Sequence, residues 1–264
     1  MKTKPDGERL SKLAGLIEKG MSKSRASKLA TQELQEHAQR TPSGSLLRQI
    51  ILGGQDGVVN VLGLVLGVAS ATSDARLILI SGLAGTFAES ISMAAVAYTS
   101  SRATQDNYVS EREREKWEMA NAPDIEREEV RLIYMKKGFT GKTLDDIVKK
   151  ITSNKDKWLD TMMTDELGLG EESKKTNPLR EATVVGFASL GGSLIPIVPF
   201  FFLPVWEGVV AALGLATVTL FAAGYKKAQM TIGKPWKSGI EMALIGMAAA
   251  IAGYAVGAIL GGKI

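Results

Sequence analysis

Two textures alternate along this chain. Residues 57–73, 77–88 and 182–224 are almost free of charge, apart from Glu207 just past a short break, whereas residues 1–48 and 102–181 hold almost all of it. A bilayer core of about 30 Å takes roughly 20 mostly apolar residues per helix. Five segments meet that requirement, at about 46–73, 77–100, 182–203, 206–225 and 239–262. The pattern therefore predicts five membrane helices rather than buried helices of a large soluble protein, because uncharged stretches this long are membrane signals. Gly63/Gly67, Gly253/Gly257 and Gly257/Gly261 are small residues four apart. Such pairs let helix backbones approach closely in lipid, and they argue for a tightly packed bundle with an oligomer interface. Pro196, Pro199 and Pro204 crowd the end of the third segment and should bend it into a short turn before Trp206, an aromatic suited to the membrane boundary.

Polar segments set the orientation. Lys12, Lys19, Lys23, Arg25, Lys28, Arg40 and Arg48 precede the first span, and Lys226, Lys227, Lys234 and Lys237 lie between the fourth and fifth. The opposite side offers Arg76 alone in the first loop. The excess of Lys and Arg on cytoplasmic loops then places the N-terminus and residues 102–181 in the cytoplasm, with the C-terminus outside. Residues 8–39 carry Leu10, Leu13, Leu16, Ile17, Met21, Leu29 and Leu34 among lysines and glutamates. A basic amphipathic helix on the anionic inner leaflet fits that pattern, and so does a partner-binding arm. Residues 102–181 read as helical throughout. The second span runs on into solution, Pro123 opens a helix that Gly138 ends, Thr143 to Asp146 resembles a capping box, and a last helix covers roughly Lys155 to Leu167 before Gly168. The division expected is an N-terminal segment 1–45, spans one and two in 46–101, a helical domain 102–181, and spans three to five in 182–264.

Composition narrows the chemistry. With Cys 0 the chain has no disulfide, thiolate zinc site or cysteine nucleophile. His 1, namely His37 in a polar segment, excludes a histidine-rich metal site and a serine–histidine–aspartate triad in a core. A net charge of +4 would suit nucleic acid, but the basic residues follow membrane topology rather than a groove-reading motif.

What remains is carboxylate chemistry. Asp56 lies about ten residues into the first span, with Gln55 and Asn60 nearby. An acid at that depth is expensive and marks an ion or proton path by default. Glu89 sits midway along the second span, and Met93 four residues on shares its face. Asp56, Glu89 and Met93 converging would make a divalent-cation site whose acids also titrate, as an antiporter requires. In the polar region Glu115 and Glu118 share one helix face, as do Glu126 and Glu129, while Met162 and Met163 precede Glu166 by four and three residues. By spacing alone this is first a solvated acidic face balanced by Arg112, Arg114, Lys116 and Arg127. Carboxylates joined by thioethers also suit a first-row divalent ion.

The ordered segments QDGVVNVLGLVLGVASA, AESISMAAVAYTSSRATQDNY, EREREKWEM, WLDTMMTDELGL and SGIEMALIGMAAAIAGYAVG resemble the vacuolar iron transporter family over about residues 48–262. The resemblance implies an all-α membrane protein with five transmembrane helices per protomer, a homodimer with a pathway between protomers, and a cytoplasmic helical metal-binding domain between helices two and three. It implies export of Fe²⁺, also Mn²⁺, from the cytoplasm in exchange for protons, with no organic cofactor. Asp56 and Met93 match translocation-path positions of that family. Glu115, Glu118, Glu126, Glu129, Met162, Met163 and Glu166 match ligand positions of its cytoplasmic domain, which reverses the bland reading of the acidic face. One position departs. Many members carry a glutamate eight residues before the second-span methionine, where this chain has Gly85, and Glu89 lies one turn later on the same face.

The expected protein is thus a secondary transporter, not an enzyme, in a prokaryotic cell membrane, or a vacuolar one if eukaryotic. A membrane-anchored buffer or sensor that binds divalent ions without moving them is the alternative.

Overall fold

The computed structural model describes residues 42–170, 177–229 and 233–261, and the regular structure among them is helical. The amphipathic segment expected over 8–39 lies outside the described residues. Residues Gln49–Ile264 cohere as one compact unit, and the preceding unit is described only from Pro42, as the opening turns of the first helix. In chain order the helices are α1 (Pro42–Ala71), α2 (Ala75–Asn121), α3 (Pro123–Lys136), α4 (Gly141–Thr152) and α5 (Lys155–Thr161). A π-helical turn (Met162–Glu166) follows, then α6 (Pro178–Leu194), a 3₁₀ turn (Val198–Phe201), α7 (Val205–Gln229) and α8 (Pro235–Leu260).

The helix starts have local causes. Asp74 accepts from the Arg76 amide at 2.8 Å and caps α2. Asn154 accepts from the Lys157 amide at 3.0 Å to cap α5, and Asn177 from the Arg180 amide at 3.1 Å to cap α6. Pro123, Pro178 and Pro235 occupy the first helical positions, where a missing N–H costs nothing. Gly138 (φ 95°) and Gly168 (φ 67°) end their segments in the left-handed region that glycine alone adopts without strain. At α4 the expectation shifts: the helix begins at Gly141 behind Thr140, so Thr143 lies inside the first turn rather than at the cap.

Among the described residues four helices are long and apolar enough to cross a membrane: Leu47–Ala71 within α1, α2, α7 and α8. The third expected span takes another form. Its helix, α6, has 17 residues and stops at Leu194, two residues before Pro196, because proline has no N–H with which to continue the helical ladder. The chain then turns and tightens into the 3₁₀ segment carrying Pro199.

Packing of this bundle rests on backbone approach. Among the described residues α2 packs extensively with α6, and α7 with α8. α1 meets α6 through Gly53 and Gly57, which abut the Val185 and Ser189 carbonyls, and meets α8 through Gly63 and Gly67, which abut the Ala249 and Gly253 carbonyls. A Cβ at Gly257 would lie far inside van der Waals contact with the Gly67 oxygen. The small-residue pairs singled out in the sequence therefore serve contacts within the chain. Val58, Val61, Leu62, Val65 and Leu66 of α1 fill the core between these crossings, against Ile197, Val209, Leu220 and Met242. Large apolar side chains such as Ile91, Phe187, Val218, Leu244 and Ile251 point outward instead. In lipid that exposure is the expected state, and close packing rather than water exclusion holds the helices together.

Below the apolar zone α2 continues unbroken. Its 47 residues measure ~70 Å at 1.5 Å per residue, more than twice a bilayer core. α3, α4, α5 and the π turn gather at its polar end around Val130, Leu144, Val148, Trp158 and Met162, with Met119, Tyr134 and Ile151 packed alongside. Arg131 ties α3 to α4 through Asp145 at 2.7 Å, and the Arg127 guanidinium sits 5.5 Å over the Trp158 ring.

Candidate metal centre

The sharp reversal between α2 and α3 builds the acidic site. α2 ends at Asn121, the Ala122 amide donates to the Glu118 carbonyl at 2.7 Å, and Pro123 starts α3 immediately. Glu126, one turn into α3, is thereby folded back on Glu115 and Glu118 in the last turns of α2. One carboxylate oxygen from each of these three residues lies within 4.8 Å of the others. Glu115 and Glu126 are almost fully buried, and each keeps one oxygen, Oε2, without a hydrogen-bond partner. Buried acceptors are ordinarily satisfied, so orphaned carboxylate oxygens on two converging side chains call for a cation or protons.

Electrostatics extend the cluster to five acids. Burial, then repulsion from Glu129, Glu115, Glu118 and Glu166, pushes the Glu126 carboxyl up to about 8. Glu166 rises to about 7 for the same reasons, burial first and then Glu115 and Glu129, with Arg114 opposing. Glu115 is raised by burial, with Arg114 opposing and Glu118 and Glu129 adding to the rise. Like charges this close cannot all ionise without a counter-charge.

The π turn delivers the remaining candidates. Its wider bonds, from the Leu167 amide to the Met162 carbonyl at 3.2 Å and from Leu169 to Met163 at 2.7 Å, turn both methionines inward while Glu166 stays at the rim. Such turns recur at functional sites. Met162 belongs to the apolar core of this region, against Val130 and Trp158. Met163 is buried too but also lines a cavity of about 360 Å³ with Tyr108, Arg112, Asp156, Lys157 and Asp160. The structure thus brings the five glutamates into one field, and gives Met162 a packing role alongside its place near them.

Inside the apolar zone Glu89 of α2 comes within interaction range of Asp56 and Asn60 of α1. Two carboxyl groups at that range need a shared proton or a cation between them. Met93 is one turn further along α2 and half-buried. Gly85, one turn the other way, faces Leu64, whose Cδ2 occupies the space a Cβ would take.

Sequence reading passed over the groups that hold the π turn. Asp165 takes an ion pair from Lys137 at 2.7 Å and accepts a hydrogen bond from the Tyr134 hydroxyl at 3.3 Å. An acid directly before Glu166 was the available signal, though its partners are distant in sequence. Glu111 was passed over as well, although it lies one turn before Glu115 on α2.

Helices of membrane-crossing length, an acidic pair between two of them, and an acidic cluster at the far end of one define a multi-pass membrane protein with cation-attracting groups inside and outside the apolar zone. The family model described as the VIT family matches residues 47–258. Vacuolar iron transporter 1 of Eucalyptus grandis is 34% identical over 213 residues, covering 80% of this chain and 85% of the relative. Vacuolar iron transporter 1 of Tulipa gesneriana is 32% identical over 225 residues, 84% of this chain and 91% of the relative. The vacuolar iron transporter of Plasmodium falciparum is 32% identical over 224 residues, 81% of this chain and 82% of the relative. The chain belongs to the VIT family.

Proposed function

We propose that this protein is a proton-coupled exporter of divalent transition metal, Fe²⁺ with Mn²⁺ as a second substrate, moving the ion out of the cytoplasm. The observation that carries the proposal is that one uninterrupted helix, α2, bears both acidic stations. Glu89 and Asp56 meet in its apolar half, and Glu115 and Glu118 meet Glu126 at its polar end. The two lie ~40 Å apart along the helix at 1.5 Å per residue, about twice the distance from mid-bilayer to solution, so the polar station stands clear of the membrane. The names of the relatives support iron as the cargo.

In this mechanism the glutamates of the polar cluster, with Met163 at their margin, capture the ion and raise its local concentration. Binding displaces protons, because a metal takes carboxylates and not carboxylic acids. The ion then passes to Asp56, Glu89 and Met93, and protons return through the same acids. We assign α6 with its 3₁₀ extension as the fifth crossing, residues 102–181 as a cytoplasmic domain, and a homodimer as the functional unit. Where the host is eukaryotic, the membrane is vacuolar.

Proteoliposomes with an imposed pH gradient test this directly, with Fe²⁺, Mn²⁺, Zn²⁺ and Ca²⁺ compared side by side. Metal uptake should follow the gradient, and Asp56→Ala and Glu89→Gln should each abolish it. Transport by Asp56→Ala at the unaltered rate would end the proposal. Tight metal binding with no transport by the intact protein would identify a buffer or sensor instead.

A further inference from the structure

Arg114 stands where a metal cluster would be expected to exclude a cation. Its Nη2 lies 2.9 Å from Glu111 Oε2 and 3.3 Å from Glu115 Oε1, and its Nε lies 3.8 Å from Glu118 Oε2. Two of those three acids, Glu115 and Glu118, are among the three whose oxygens converge within 4.8 Å. The third, Glu111, is outside that group and one turn further from it along α2. The guanidinium is about half exposed, so it is anchored by charge and not by packing. Its field also reaches Glu166 on the π turn. The other basic residues of this stretch lie elsewhere: Lys116 on Glu113, Arg127 on Asp124 and over Trp158, and Arg112 lining the neighbouring cavity.

We propose that Arg114 is the resident counter-ion of the empty metal cluster, and that metal arrival transfers it from Glu115 and Glu118 onto Glu111. The inference rests on the metal-centre reading above and adds a regulatory element to it. A cluster of glutamates without a compensating charge would repel itself apart or hold its protons. A guanidinium supplies that charge while it can still leave, since it is itself about half exposed and touches the buried Glu115 through one oxygen, its other two partners being partly exposed side chains whose ion pairs are weak. A divalent ion brings twice the charge to the buried oxygens that Arg114 does not reach, Glu115 Oε2 and Glu126 Oε2. Glu111 keeps the displaced side chain close, so the cluster closes over its counter-ion again when the metal moves on. The consequence is a site tuned to release: Arg114 lowers affinity to a level from which the ion can be passed along.

The test is Mn²⁺ titration of the full-length, chelator-treated protein in detergent. Arg114→Gln should tighten Mn²⁺ binding by roughly tenfold, the size expected for removing one charge near a divalent ion at a partly solvated site. Arg112→Gln removes the same charge from the same helix, but its side chain lines the neighbouring cavity, so it should shift binding by less than about twofold, as for a screened surface charge. Glu111→Gln should weaken binding, and should weaken it less when Arg114 is already glutamine, a non-additivity that a general charge effect does not produce. Arg114→Lys keeps the charge and should stay near the unaltered affinity, which provides a reading even if Arg114→Gln fails to fold. Equal shifts in the Arg114→Gln and Arg112→Gln proteins, or weaker binding in the former, would overturn the counter-ion role alone. No Mn²⁺ binding by the unaltered chain would overturn the metal centre with it.

Discussion

Replacing Glu126 with glutamine should make the metal-free protein more stable, and the gain should depend on pH. The Glu126 carboxyl is raised from 4.5 to about 8, so the folded chain holds this proton more tightly than the unfolded chain does. Below the unfolded value both states are protonated and the group costs nothing. Between 4.5 and about 8 the unfolded state ionises first, and folding loses stability steadily as pH rises. At about 1.4 kcal/mol per pKa unit the ceiling at pH 7 is roughly 3 kcal/mol, and relaxation around the site reduces it to an expected 1–3 kcal/mol. Glutamine removes the ionisation, fits the same space and can donate to the Glu115 oxygens. Thermal unfolding of chelator-treated protein in detergent, at pH 5 and pH 8, measures the difference. Glu126→Gln should match the unaltered protein at pH 5 and exceed it at pH 8. Excess Mn²⁺ at pH 8 should then reverse the order, because bound ligand stabilises only the chain that binds it. An equal gap between the two proteins at both pH values would refute the reasoning.

Three further outcomes follow from the same coordinates. Mn²⁺ affinity of the unaltered protein should rise steeply between pH 6 and pH 8, by up to about tenfold per unit for each proton displaced, since the ion competes with protons on Glu126 and Glu166; a flat profile in calorimetric titrations would contradict this. Gly257→Val should prevent stable assembly, costing more than about 3 kcal/mol by overpacking against the Gly67 carbonyl, whereas Gly214→Ala, with nothing within 4 Å, should be neutral in size-exclusion profiles and thermal stability. Gly85→Glu should restore metal flux to an inactive Glu89→Gln protein only when Leu64→Ala is also present, because Leu64 fills the space beside Gly85; proteoliposome uptake by the double and triple variants decides it.

The legible part of this protein was its long-range texture. Uncharged stretches gave the positions of α1, α2, α7 and α8, and the proline at 123 with the glycines at 138 and 168 marked the breaks in the polar region. These are local signals with direct causes, a missing N–H or a permitted positive φ. The prolines crowding the end of the third span announced its turn, although hydropathy averages over Pro196 and Pro199 and so does not show how early the helix ends where proline has no N–H to extend it. The glycine pairs announced close packing but not which helices would meet. Gly63 and Gly253 are 190 positions apart, and spacing within one helix carries no information on the other.

The acidic site was legible as residues and illegible as a balance of charges. Helical spacing puts Glu115 with Glu118 and Glu126 with Glu129, yet spacing cannot say that the Ala122–Pro123 reversal folds one pair onto the other. The same reversal separates the basic residues of this stretch, which read equally as neutralising charges in the sequence. Lys116 turns to Glu113 and Arg127 to Asp124, while Arg114 alone of the three reaches the converging acids. A face rich in both signs is ordinarily a solvated surface with weak pairs. Here the reversal buries Glu115 and Glu126 beyond the reach of most of those cations, and it is this imbalance, not the count of acids, that makes the surface a place for a divalent ion.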